Sequence, residues 1–112
     1  MPQAKGPSPA ARWLSREFLA PGGAFPGIVG RVVGAPKRIE WLIEGVSSTD
    51  PRIRLGCSKA LRLVAFAEPR LVYPYFGFFV GQLDSANSVL RWNAEGTLAC
   101  LAPADRQNKL DG

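Results

Sequence analysis

Apolar side chains recur at helical spacing in two stretches of the chain, and the second stretch repeats the first after 37 residues. Residues 38–65 align with residues 75–102, and apolar positions fall on apolar positions. Positions three and four residues apart share one face of a helix, so each stretch predicts two amphipathic helices separated by a polar turn. A repeat of this length is typical of stacked helix pairs. The matched apolar positions are Ile39 with Phe76, Leu42 with Phe79, Ile43 with Val80, Val46 with Leu83, Ile53 with Leu90, Cys57 with Ala94, Leu61 with Leu98 and Val64 with Leu101.

Local start and stop signals agree with this pattern. Asp50 and Asn87 stand just before the second and fourth helices, where a side-chain oxygen caps the free N–H groups of the first turn. Pro51 suits the first helical position, whereas Pro74 predicts a late start or a kink in the third helix. The predicted helices span about 37–46, 51–66, 70–83 and 88–102, with the start of a further helix at 105–111.

Residues 1–36 differ from the rest in composition. They contain six Pro and six Gly, whereas residues 37–112 contain four Pro and six Gly. We therefore expect a flexible, mostly irregular N-terminal segment, followed by a repeat domain over residues 37–112 with units at about 37–66 and 70–102. Two local alternatives remain open within the N-terminal segment: a short helix over residues 11–20 and a short strand over residues 27–34.

The turn sequence Asp-Pro-x-Ile-Arg, separated by five residues from Ala-Leu, resembles the HEAT repeat, an armadillo-type helix pair. The resemblance covers residues 38–102 as two units and implies an all-α fold, a right-handed α-solenoid of about two helix pairs. Arg54 and Arg91 occupy the HEAT arginine position. In that family the arginine often pairs with an aspartate six residues earlier, but Ser48 and Ser85 stand there in this chain. The whole stretch is similar to bacterial HEAT-like proteins that continue for further repeats, so we expect a short or truncated member.

The resemblance implies a protein-interaction or scaffold module that binds another protein. Solenoids of stacked helix pairs present a continuous binding surface, which we assign to the second helix of each pair. An ordinary solvated face is the alternative interpretation of its charged residues. Two units also leave the apolar end near Trp92, Leu98 and Leu101 without a neighbour, which predicts self-association or marginal stability. The candidate partner-binding residues are Arg52, Lys59, Arg62, Val89 and Glu95.

The net charge of +5 and the calculated pI near 9.8 favour nucleic-acid backbone binding as the alternative function. Trp92 beside Arg91 is a candidate stacking platform for a base. The charge is unevenly placed, however: residues 1–36 carry +3, whereas residues 37–112 carry ten basic and eight acidic side chains, or +2. This distribution argues against a dedicated basic groove within the repeats.

The residue types argue against most catalytic and metal chemistry. The chain has no histidine, and its cysteines, Cys57 and Cys100, are predicted to be buried free thiols, as is typical of a reducing cytosol. We therefore expect no enzyme activity, no cofactor and no metal site. No stretch approaches the roughly 18–20 apolar residues of a membrane span, and the N-terminus lacks a convincing secretory signal. These features predict a cytoplasmic protein without a membrane partner.

Overall fold

The computed structural model describes residues 8–25 and 27–104, and all regular structure within them is helical. The all-α class is therefore confirmed. The predicted helix start at 105–111 lies outside the described residues, and so do residues 1–7 of the N-terminal segment. The helices are α1 Pro9–Phe18, α2 Ile28–Val33, α3 Arg38–Gly45, α4 Pro51–Ala67, α5 Pro69–Val72, α6 Phe76–Gln82 and α7 Ser88–Leu101, with short 3₁₀ turns at Tyr73–Tyr75 and Ala102–Ala104.

Both predicted helix caps form. The Asp50 carboxylate accepts a hydrogen bond of 2.9 Å from the Arg52 backbone N–H, and Pro51 occupies the first position of α4. Asn87 uses its side-chain oxygen in the same way, accepting 2.9 Å from the backbone N–H of Val89 in α7. Each cap satisfies a backbone donor that has no partner inside the helix, a contribution of about 1 kcal/mol.

The 37-residue repeat is also present in the hydrogen bonds of the two turns. The hydroxyl oxygens of Ser48 and Ser85 each accept 3.1 Å from the backbone N–H of the capping residue two positions later. The guanidinium of Arg54 donates to the Ser48 carbonyl at 3.1 Å, and Arg91 donates to the Ser85 carbonyl at 2.8 Å. Each arginine therefore closes the turn of its own unit by binding a backbone carbonyl.

The core lies where α4 packs along α7, with α3 against α4 and α6 against α7. Most residues of the predicted apolar stripes face this core, since they recur on one side of each helix. Val80 and Leu83 are exceptions from the third predicted helix, 45% and 37% exposed. Ile43, Phe76 and Leu98 are partly buried at the margin of the core. The buried members are Ile39, Leu42, Val46, Ile53, Cys57, Ala60, Leu61, Val64, Phe79, Leu90, Ala94 and Leu101.

The third predicted helix is interrupted at the proline. In place of one helix over 70–83, the chain forms α5, a 3₁₀ turn that contains Pro74, and then α6. Proline lacks the N–H needed for the next helical hydrogen bond, which explains the break. The aromatic side chains around it pack on the core and on one another. Tyr73 stacks on Phe76 with centroids 5.9 Å apart, and Phe78 meets Phe79 edge to face at 5.1 Å.

The N-terminal segment differs from the prediction of a mostly irregular, flexible chain. Residues 9–18 and 28–33 form α1 and α2, which pack against α3 and α4 and contribute to the same core. The short-helix alternative is confirmed, and the strand alternative is wrong, because residues 28–33 are helical. The buried side chains of this segment are Ala10, Trp13, Leu14, Phe18, Ala24, Ile28 and Val32.

The prolines and glycines of this segment shape its helix start and its turn. The Ser8 hydroxyl caps α1 by accepting from the Ala11 backbone N–H at 3.1 Å, and Pro9 takes the first helical position. Gly22, Gly23 and Gly27 have φ of 87°, 73° and 100°, a region that other residues rarely adopt. Proline and glycine therefore have local roles here, at the start of α1 and in the backbone between α1 and α2, which the average composition of the segment does not show.

Candidate binding groove

Three of the five candidate residues lie together in the structure. Lys59, Arg62 and Val89 line a groove between α4 and α7 with a volume of about 400 Å³. Arg52 and Glu95 are exposed but do not line it. The groove residues of α4 are three or four positions apart, as expected for one face of a helix. The full lining is Leu55, Gly56, Lys59, Arg62, Val89, Trp92 and Asn93.

The groove exposes apolar side chains to solvent. Trp92 is 59% exposed and Val89 is 45% exposed, although both belong to α7, whose other face is buried in the core. Leu55 adds a half-buried aliphatic side chain from α4. A folded protein gains free energy by burying such surface, at about 25 cal/mol per Å². A cluster of exposed apolar side chains in a concavity is therefore a candidate contact site.

Arg62 is held in place on three sides. Its Nε donates to the side-chain oxygen of Asn93 at 2.8 Å, and Asn93 is itself only 3% exposed. Its guanidinium carbon lies 4.7 Å from the centroid of the Trp92 ring. Its aliphatic stem passes over Gly96, where an added Cβ would come within 2.7 Å of the Arg62 Cδ. A side chain restrained in this way loses little conformational entropy when it binds a partner.

Lys59 lies one helical turn before Arg62 and contacts the N-terminal segment. Its ammonium group is 4.5 Å from the centroid of the Phe25 ring, a favourable cation–π distance. Within residues 8–25 and 27–104, no carboxylate lies within 4 Å of Lys59 or Arg62. The two cations of the groove are therefore not neutralised by an ion pair in the described part of the chain.

Arg52 has a local role at the start of α4. Its guanidinium forms an ion pair of 2.9 Å with the Asp50 carboxylate, and the pair is exposed. Hydrogen bonds from the Arg52 side chain and backbone lower the pKa of Asp50. Because this arginine already pairs with the helix-capping aspartate, the solvated-face interpretation fits it better than a place in the groove.

Sequence reasoning placed Trp92 at a different site. It paired Trp92 with Arg91 as a stacking platform, but the arginine on the indole is Arg62 from the other unit. It also placed Trp92 at an exposed apolar end with Leu98 and Leu101, whereas Leu101 is fully buried and Leu98 partly buried. Asn93 was missed altogether, although a polar residue in the apolar stripe of α7 was a usable signal.

The thiols differ in their surroundings. Cys57 is fully buried, and burial raises the pKa of its thiol to about 12. Cys100 is half-buried, and both cysteines are free.

Across the residues that the structure describes, no cluster of His, Cys, Asp or Glu has the arrangement of a metal site. None of the helices within that part of the chain combines the length and hydropathy needed to cross a bilayer.

Comparison of the chain with protein-family models, with curated proteins and with solved structures finds no match. The resemblance to HEAT repeats therefore rests on the sequence positions given above. The groove between α4 and α7 is accordingly interpreted from its own geometry.

Proposed function

We propose that the chain is a non-catalytic binding module of the HEAT-repeat type, with two helix pairs stacked as a solenoid. In this proposal it binds a segment of another protein in the α4–α7 groove. The observation that carries the proposal is the exposed indole of Trp92 beside Val89 and Leu55 in a concavity of about 400 Å³. Tryptophan and arginine are the side chains that most often dominate the energy of protein–protein contacts, and both are present here.

Nucleic-acid binding is the second candidate, and one observation favours it. Lys59, Arg62 and Trp92 lie side by side, and an arginine with an exposed indole suits a base and its phosphate. Such binding needs a row of cations that neutralise successive phosphates. The groove has two cations among seven lining residues. The other two arginines of α4 are already engaged, Arg52 with the Asp50 carboxylate and Arg54 with the Ser48 carbonyl. A protein segment therefore fits the groove better.

The test is a selection of random phage-displayed peptides, about a dozen residues long, on the immobilised full chain. Truncation of a central tryptophan typically costs 2 kcal/mol or more, so Trp92→Ala should weaken selected peptides by about 30-fold. Val80→Ala is the control, because Val80 is exposed on α6 and does not line the groove. If the selected peptides bind the Trp92→Ala variant as tightly as they bind the parent chain, the proposal is refuted.

Two companion measurements address the other occupants. Titration with single-stranded and duplex DNA at low and high salt tests the nucleic-acid candidate, since phosphate binding weakens steeply with salt. Sedimentation velocity of the chain alone tests self-association. A dimer that Trp92→Ala dissociates and Val80→Ala does not would make a second copy of the chain the occupant of the groove.

A further inference from the structure

We infer that Arg62 and Lys59 form a carboxylate receptor, so that the bound segment presents an aspartate or glutamate next to an apolar side chain. This inference rests on the proposed function and specifies the partner's chemistry. The carboxylate would accept two hydrogen bonds from the terminal nitrogens of Arg62, with the Lys59 ammonium beside it. The neighbouring apolar side chain would lie against Val89 and Leu55.

The orientation of Arg62 leaves one binding edge of its guanidinium unused. Its Nε is engaged by the Asn93 oxygen, and neither Nη1 nor Nη2 bonds any residue within 8–25 and 27–104. A guanidinium binds a carboxylate through two parallel N–H groups, and the pair formed by Nη1 and Nη2 is the end-on edge of that fork. Asn93 is buried and holds the Nε side, so the free edge is fixed relative to the groove.

The local charge favours an anion of this kind. Lys59 and Arg62 are three residues apart on α4, which makes their side chains neighbours on the helix surface. No carboxylate of residues 8–25 and 27–104 lies within 4 Å of either side chain, so their two positive charges are not offset by an ion pair there. A carboxylate bound to Arg62 would offset part of this charge. The groove thus complements a single negative charge better than a neutral polar group.

The apolar part of the groove favours a partner segment with an apolar side chain next to its acidic residue. The stacked guanidinium of Arg62 covers one face of the Trp92 ring. The side chains of Val89 and Leu55 line the same groove from the two helices. An apolar side chain one or two positions from the acid would bury these surfaces together with the free part of the indole. Acidic residues without an apolar neighbour should therefore bind weakly.

The test uses the same selection of phage-displayed peptides, and its first readout is the amino-acid composition of the peptides that are selected. Peptides that depend on Trp92 should be enriched in Asp or Glu next to Leu, Ile, Phe or Trp. Replacing that acid by its amide in a synthetic peptide should weaken binding to the parent chain by about 10- to 100-fold, the range expected for hydrogen bonds to charged groups. This measurement needs no protein variant, so a folding defect cannot affect it.

Protein variants then assign the effect to Arg62. Arg62→Met should lose about as much affinity for the acidic peptide as the amide peptide loses with the parent. The amide peptide and the Arg62→Met variant together should lose little more affinity than either change alone, since each change removes the same contact. Arg62→Lys retains the charge without the fork and should fall between parent and Met. Arg70→Met is the matched control, because Arg70 is an exposed arginine of α5 that does not line the groove.

The outcomes separate the inference from the function on which it rests. Peptides that depend on Trp92 but lack acids, or whose amide versions bind within about twofold of the parent peptide, overturn the carboxylate receptor and leave the groove as the binding site. If no selected peptide depends on Trp92, both the proposed function and the receptor are wrong. The carboxylate receptor would also be overturned if phosphorylated or nucleic-acid ligands bind the groove and acidic peptides do not.

Discussion

The N-terminal segment should contribute strongly to the stability of the helical core, and a pair of identical substitutions tests this. Phe18 in α1 is 8% exposed, and its ring packs against Gly56 of α4, where an added Cβ would lie 2.5 Å from the Phe18 Cδ1. The ring also meets Phe25 edge to face at 6.3 Å. Phe66, within the repeats, is 79% exposed. The two phenylalanines differ chiefly in burial.

Phe18→Ala should lower the free energy of unfolding by about 3–5 kcal/mol, the usual cost of removing a buried phenylalanine ring. Phe66→Ala should change it by less than about 0.5 kcal/mol, because it removes an exposed ring. Domains of this size have a total stability of about 5–15 kcal/mol. Loss of the Phe18 ring is therefore expected to remove a large part of the stability and the Phe66 ring almost none.

Urea unfolding followed by far-UV circular dichroism measures both values. With a slope of about 1–3 kcal/mol per molar urea, the midpoint for Phe18→Ala should fall by about 1 M or more. The Phe66→Ala midpoint should stay near that of the parent. If the two midpoints agree within error, α1 does not pack on α4 in solution, and the prediction of a flexible N-terminal segment would be the better description.

Two further predictions concern single side chains. In the same urea unfolding assay, Gly45→Ala should destabilise the protein by about 1–3 kcal/mol, because the new methyl group would collide with the Cys57 sulfur and crowd Leu14. Gly77→Ala is its control: it has open space inside α6 and should be neutral or stabilising by up to about 1 kcal/mol. Burial raises the pKa of the Cys57 thiol from its ordinary value of 9.0 to about 12 in the folded protein. Between these two pH values the unfolded chain binds fewer protons than the folded chain, so the free energy of unfolding falls as the pH rises. The urea midpoint should therefore fall more between about pH 8 and about pH 10 in the parent than in Cys57→Ala. An equal fall in the two proteins would show that the buried thiol does not contribute.

The helices that the sequence predicted correctly are those whose signals are local. Asp50 and Asn87 cap α4 and α7 as expected, because capping depends only on the next two or three residues. Ser8 before Pro9 is the same kind of signal as Asp50 before Pro51, yet the main prediction for this segment followed its Pro and Gly content and kept the short helix over residues 11–20 only as an alternative. Composition averaged over 36 residues conceals a helix whose own ten residues are favourable.

The groove could be predicted only in part. Helical spacing placed Lys59 and Arg62 on one exposed face of α4, and both line the groove. The contribution of Trp92 and Asn93 depends on how α7 lies against α4, a tertiary arrangement that the period of a single helix does not contain. The same limit explains why the arginine beside Trp92 was assigned as Arg91 when it is Arg62.

The 37-residue register separates the positions that hold the fold from those that form the groove. The capping residues, the turn serines and the turn arginines occupy equivalent places in both units and make equivalent hydrogen bonds. At the groove positions the two units carry different residues, often a large side chain in one and a small one in the other. Under the proposed function, divergence at the exposed groove positions would alter the bound partner while the hydrogen bonds of the turns stay the same. Averaging the two units into one consensus would preserve the turns and remove the groove. The unlike pairs are Arg52 with Val89, Leu55 with Trp92, Gly56 with Asn93, Lys59 with Gly96 and Arg62 with Ala99.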